Sequence, residues 1–201
     1  MAYLDVYFDR NGLTVTVGAV GNAGVVLNTA EVGFDGLNTN SHVDAVDDSS
    51  VDGDVHVSYA FGDYTVAASI GSDSEDTAFS VSGSTGALTY AVGFASDDSA
   101  NIDYTSFGAG YTMGAYNFQA LMVNIDNPAG TADEDTFGLS AAYTMDAMTF
   151  TVAMSDSDAA GSDASYGIGA AYDLGGGLAL KGGFGSVGDK SVADLGLTMS
   201  F

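Results

Sequence analysis

In the last eleven residues, Ser191 to Phe201, every second position is apolar or aromatic: Ala193, Leu195, Leu197, Met199 and Phe201. Asp194, Gly196, Thr198 and Ser200 fill the positions between them. Side chains along a β-strand point alternately to opposite faces, so this pattern makes one face apolar and the other small and polar. The same period of two returns along the whole chain, in about thirteen segments. They are Ala2 to Asp9, Leu13 to Val20, Asp54 to Gly62, Tyr64 to Gly71, Thr77 to Gly83, Ala87 to Ala95, Asp103 to Met113, Tyr116 to Asn124, Thr136 to Met145, Ala147 to Ser155, Ser165 to Asp173, Leu178 to Gly185 and Ser191 to Phe201. Such a chain has to be all-β. Helix formers are scarce, with three Lys plus Arg in total and Glu only at positions 31, 75 and 134.

The connections alternate as well. Arg10-Asn11-Gly12, Gly62-Asp63, Gly83 to Gly86, Gly114-Ala115, Asp146 and Leu174 to Gly177 are short and rich in residues that tolerate positive φ, which predicts tight hairpins. Between them lie longer acidic connections: Ser72 to Asp76, Ser96 to Ile102, Ile125 to Asp135, Asp156 to Ala164 and Ser186 to Lys190. Short turns at one end and long polar loops at the other are the layout of a transmembrane β-barrel.

The faces point to the same solvent. Leu88, Tyr90, Val92 and Phe94 share one face of Ala87 to Ala95, against Thr89, Ala91 and Gly93 on the other. A soluble sandwich would bury the bulky set and place charges on the opposite face, yet the opposite face here is Thr, Ser, Gly and Ala. An apolar face toward lipid and a polar face toward a water-filled interior fits this better. Tyr111, Tyr143 and Tyr172 each stand just before a short turn and, with Tyr59 and Phe201, predict an aromatic girdle at the membrane interface. No run approaches the roughly 18 apolar residues of a membrane helix, and MAYLDVYFDR lacks the layout of a signal peptide. With no Cys, disulfide frameworks and thiolate metal sites are excluded. A formal net charge of -24 makes nucleic acid an unsuitable partner, because phosphate neutralisation requires Lys and Arg.

One connection is out of scale. Gly21 to Gly53 joins two strands and carries Glu31, Asp35, Asp44, Asp47, Asp48 and Asp52, and long structureless connections in compact folds are usually functional. At this point the chain resembles the general diffusion porins of Rhodobacter type: NGLTVTVGAV leading into a long acidic loop, and AGSDASYGIGAAYDLGGGLALKGGFGSVGDKSVADLGLTMSF at the C-terminus, closed by a final aromatic. The resemblance implies a single barrel domain over residues 1–201 in the outer membrane of a Gram-negative cell. It also implies passive diffusion of ions and small hydrophilic solutes, and a homotrimer is the assembly it allows. Family members have about sixteen strands, so about three N-terminal strands would be missing here, together with many of the arginines that face the acidic loop. With about 12 to 14 strands, Ser191 to Phe201 is expected to pair with Leu178 to Gly185 and to meet the first strand.

Carboxylates in a narrow, low-dielectric constriction focus a negative potential. Folded into the pore, residues 21–53 would therefore favour cations, with Glu31, Asp35, Asp44, Asp47 and Asp48 forming the constriction. Lys181 is then the candidate cation of the lumen, and His56, inward on its strand, a lumen residue. Clustered Asp in the outer loops suits Ca²⁺, although no EF-hand spacing is present; no other cofactor is expected. Catalysis in outer-membrane barrels relies on a histidine beside Ser, Asp or Asn, and neither His42 nor His56 stands in a recognisable nucleophile motif. The alternative to a channel is a secreted Asp/Gly-rich calcium-binding protein or adhesin, which would show a short fixed repeat.

Overall fold

A computed structural model of the chain describes residues 6–34, 36–39, 42, 51, 53–71 and 76–200. Thirteen strands follow one another: β1 (Val6–Arg10), β2 (Leu13–Val17), β3 (Val55–Phe61), β4 (Tyr64–Ile70), β5 (Asp76–Thr85), β6 (Leu88–Asp97), β7 (Ile102–Met113), β8 (Tyr116–Asp126), β9 (Glu134–Met145), β10 (Met148–Ser157), β11 (Ser165–Gly175), β12 (Leu178–Val187) and β13 (Lys190–Met199). They form one sheet in sequence order, each strand beside its neighbours in the chain. Every pairing whose register is resolved is antiparallel, for example Val57 opposite Ala68 and Val152 opposite Ala141. All thirteen expected segments are strands.

The boundaries differ in an instructive way. β6, β8 and β10 run on to Asp97, Asp126 and Ser157, past the last apolar residue of each segment. The ladder continues because Asp76 pairs with Asp97 and Ser157 with Thr136, so backbone bonding outlasts the side-chain pattern that predicted it. The connection expected at Ser186 to Lys190 shrinks to Gly188-Asp189, with Gly188 at φ 58°. β2 is shorter than expected and stops at Val17, where Gly18 takes φ 143° and its N–H turns to the Asp54 carbonyl at 2.9 Å. The hairpins match their sequences: Asn11 and Gly12 both have positive φ, at 54° and 83°, as an Asn-Gly turn requires.

β13 pairs with β12 over ten positions, from Leu178 opposite Met199 to Val187 opposite Lys190, as expected. It was also expected to meet the first strand, Ala2 to Asp9, of which residues 2–5, like Phe201, lie outside the described residues; Val6–Arg10 pairs with β2. Among the described residues β1 contributes five strand residues, Val6–Arg10.

The chain divides into two compact units: Met1–Leu27, Asp44–Ala109 and Met122–Asp135 make the first, and Asn28–Val43, Gly110–Leu121 and Thr136–Phe201 the second. In each, one strand face is bulky, apolar and exposed. Phe94 in the first unit is 47% exposed, and Val152, Ile168 and Leu197 in the second are 50%, 62% and 58% exposed. The opposite face is small and largely buried, as at Ala78, Ala91 and Ser106 in the first unit and Ser140, Ala153 and Ser165 in the second.

Candidate functional site

The buried face is covered by the connection between β2 and β3. Its described stretches form no strand or helix, so their backbone N–H and C=O groups must find partners elsewhere. Hydroxyls and a carboxylate of the sheet supply them. In the first unit, Ala23 donates its N–H to Ser69 Oγ of β4 at 2.8 Å, and Ser106 Oγ of β7 donates to the Gly24 carbonyl at 3.1 Å. Asn22 braces the turn, accepting from the Gly24 N–H at 2.9 Å and donating to the Val51 carbonyl at 3.3 Å.

In the second unit the next stretch is held in the same manner. Ala30 donates its N–H to Ser140 Oγ of β9 at 2.8 Å, and Phe34 donates its N–H to the Asp194 carboxylate of β13 at 2.8 Å. Ser140 Oγ lies 3.3 Å from Gln119 Oε1 and donates to it. Thr39 is fully buried and donates to the Gly36 carbonyl at 3.3 Å. His42 sits 3.1 Å from the Asp163 carbonyl and 3.4 Å from Ser162 Oγ, both in the β10–β11 connection.

Close approach explains why the sheet is so rich in small residues here. A Cβ on Gly93 of β6 would lie 2.7 Å from a Val26 methyl and would strike the Gly24 carbonyl oxygen. In the second unit a Cβ on Gly167 of β11 would come within 2.6 Å of Val32, and the Phe34 ring lies directly on Gly196 of β13. Glycine is required at such positions because the connection rests directly on the backbone of the sheet, through its own backbone at Gly93 and through the Val32 and Phe34 side chains at Gly167 and Gly196.

The predicted site residues fall as follows. Glu31 is exposed on the connection, its carboxylate folded over Gly36. Asp35, Asp44, Asp47 and Asp48 lie outside the described residues. His56 is on the covered face of β3, opposite Thr16 and Ser69, and its Nε2 is buried without a hydrogen-bond partner. Lys181 is half-buried on the covered face of β12, opposite Ala171 and Gly196. Sequence reasoning missed the anchors Ser69, Ser106, Ser140 and Asp194. Their signal was present: a long connection without regular structure needs donors and acceptors, and the small polar face was the one surface able to provide them. Among the described residues, no group of three or more His, Asp or Glu side chains gathers to hold a metal ion.

Comparison with known proteins identifies the family. A family model described as Gram-negative porin matches residues 4–191. The chain belongs to the Gram-negative porin family. Solved structures agree on the fold. A porin refined at 1.8 Å superposes with a TM-score of 0.78 at 23% identity, over 98% of this chain and 80% of the other. Two variants of Rhodopseudomonas blastica porin give TM-scores of 0.77 and 0.78 at 24% and 25% identity, each over 97% of this chain and 75% of theirs. No curated protein matches the chain significantly.

The porin is thus an outer-membrane channel protein, not an enzyme, and its exposed apolar strand face is the lipid face. Of the expected girdle residues, Tyr59 stacks in a row with Phe61 and Tyr64 in the first unit, at centroid distances of 5.9 and 5.8 Å, and Tyr143 meets Tyr116 at 4.7 Å in the second. Each group sits beside a short turn, where an amphipathic ring is favoured. Phe201, the fifth expected member with Tyr111 and Tyr172, lies outside the described residues. The secreted, calcium-binding alternative finds no support in fold or family.

Proposed function

We propose that this porin passes small hydrophilic solutes and ions passively and prefers cations. The observation that carries the preference is the charge of the connection between β2 and β3. It contains Glu31, Asp35, Asp44, Asp47, Asp48 and Asp52, and neither Lys nor Arg occurs between Arg10 and Lys181. Fixed negative charge beside a low-dielectric wall raises the local concentration of cations and lowers that of anions. Lys181 is the opposing charge on the covered face, and it lies far along the chain from the acidic stretch. Glu31, Asp35, Asp44, Asp47 and Asp48 are the residues we assign to the constriction, with His56 and Lys181 on the wall of the lumen. For assembly we propose a homotrimer, which sedimentation of the detergent-solubilised protein tests.

Reversal potentials across a planar bilayer in a KCl gradient test the preference. The unmodified channel is expected to favour K⁺ over Cl⁻. Asn or Gln at Glu31, Asp35, Asp44, Asp47 and Asp48 should shrink the preference, and Lys181→Met should enlarge it. Anion preference in the unmodified protein contradicts the proposal.

A further inference from the structure

Among the described residues of the second unit, Phe34 stands apart from the other exposed large apolar side chains. Those, Leu139, Val152 and Ile168 among them, sit at strand positions that alternate outward to lipid, whereas Phe34, 40% exposed, belongs to the connection and lies on the covered side of the sheet. A ring left open on that side forgoes part of the burial that normally keeps phenylalanine inside. We propose that Phe34 is a stacking platform for the pyranose ring of neutral sugars, with Lys181 and Thr198 beside it, and so a residue that determines which solutes the channel retains. The proposal rests on the reading of the protein as a passage for small hydrophilic solutes, and it names one class of them.

The ring is held in place at both ends. The Phe34 N–H donates to the Asp194 carboxylate at 2.8 Å, and the ring rests on Gly196, where a side chain would otherwise stand. A platform fixed before the solute arrives loses little freedom on binding. The polar groups around it follow from the register. Asp194 and Thr198 lie on either side of Gly196 on the same face of β13. Lys181 of β12 is directly opposite Gly196, and residues so placed have Cβ positions about 4.5 to 5.5 Å apart, which sets the lysine stem beside the ring. A pyranose presents a flat face of slightly positive C–H groups, which suits the negative face of an aromatic ring, and a rim of hydroxyls that both donate and accept. An ammonium and a hydroxyl next to an apolar platform match that rim. The carboxylate and the ammonium together carry no net charge, and Lys181 beside the ring disfavours an organic cation there, so the matching solute is neutral. All of these residues belong to the second unit.

The test reads binding rather than conduction, so its failure would leave the channel reading standing. In the unmodified protein folded in detergent micelles, saturation-transfer NMR is expected to show magnetisation passing to the ring protons of D-glucose, and Phe34→Leu should lose that transfer while keeping heat-modifiable migration. The chain has no tryptophan, so Phe34→Trp retains a flat ring and turns the platform into its own fluorophore. Glucose should shift its emission saturably. Sorbitol, an open-chain polyol with no flat C–H face, should not. Tyr166→Trp, on the lipid face of β11, should respond to neither. Lys181→Met in the Phe34→Trp background should weaken the glucose response about three- to tenfold, the worth of one hydrogen bond. The proposal is overturned if glucose gives no saturable response, if sorbitol matches it, if Phe34→Leu retains the transfer, or if Lys181→Met binds glucose as tightly as its parent.

Discussion

Thr151 and Val152 are neighbours in β10 with opposite duties. Val152 is half exposed on the lipid face, and Thr151 lies on the covered face opposite Gly169. Lysine in place of Val152 must carry a charge into hydrocarbon, which near the bilayer midplane costs about 2 to 4 kcal/mol. Thr151→Lys, at the same depth but on the polar side, is expected to cost much less. Folding titrations into lipid vesicles compare the two, and equal costs would mean that the faces are misassigned. This distinction was legible in sequence, because Phe150, Val152 and Met154 alternate with Thr149, Thr151 and Ala153. What was not legible is which residues of the small face do more than fill space. Nothing in the pattern separates Ser140, which accepts the Ala30 N–H, from Ala153, which bonds to nothing through its side chain. That difference depends on where a segment distant in the chain comes to rest.

At the scale of elements, the strands were legible because period-two alternation acts locally, and the hairpins because Asn-Gly and Gly-rich turns need positive φ. The connection between β2 and β3 was recognised by length and charge, yet its path was not, since a segment without regular structure is placed by its partners. Among the described residues those partners include Ser69, Ser106, Ser140 and Asp194, and removing them should loosen it. Asp194→Ala takes away the acceptor of the Phe34 N–H, and a lost hydrogen bond to a charged group typically costs about 1.5 to 3 kcal/mol. Gly167→Val would overfill the contact with Val32, at a cost typically about 1 to 3 kcal/mol. Both changes should lower resistance to thermal unfolding and increase open-channel noise, whereas Gly86→Ala, which strains its turn at φ 59° but has nothing within 4 Å of its Cβ, should leave the noise unchanged. Identical noise in all three would show that the connection does not border the conducting path.

For the whole molecule, family membership and fold join a design in which one solvent is lipid and the other is water. Backbone groups within a bilayer must be satisfied inside the protein, which is why strands cross it only as part of a sheet that pairs throughout. The sheet order from β1 to β13 was read almost entirely from alternation and turn chemistry. Its count of thirteen was expected, while the residues expected to join β13 to the first strand, 2–5 and Phe201 among them, lie outside the described residues. The most direct test of the channel account is the current through the purified protein after folding into a planar lipid bilayer. The account predicts discrete, reproducible conductance steps that are roughly proportional to KCl concentration, as expected for a water-filled path. Protein that has inserted, shown by heat-modifiable migration and protection of its strands from protease, yet passes no current at any voltage would contradict it.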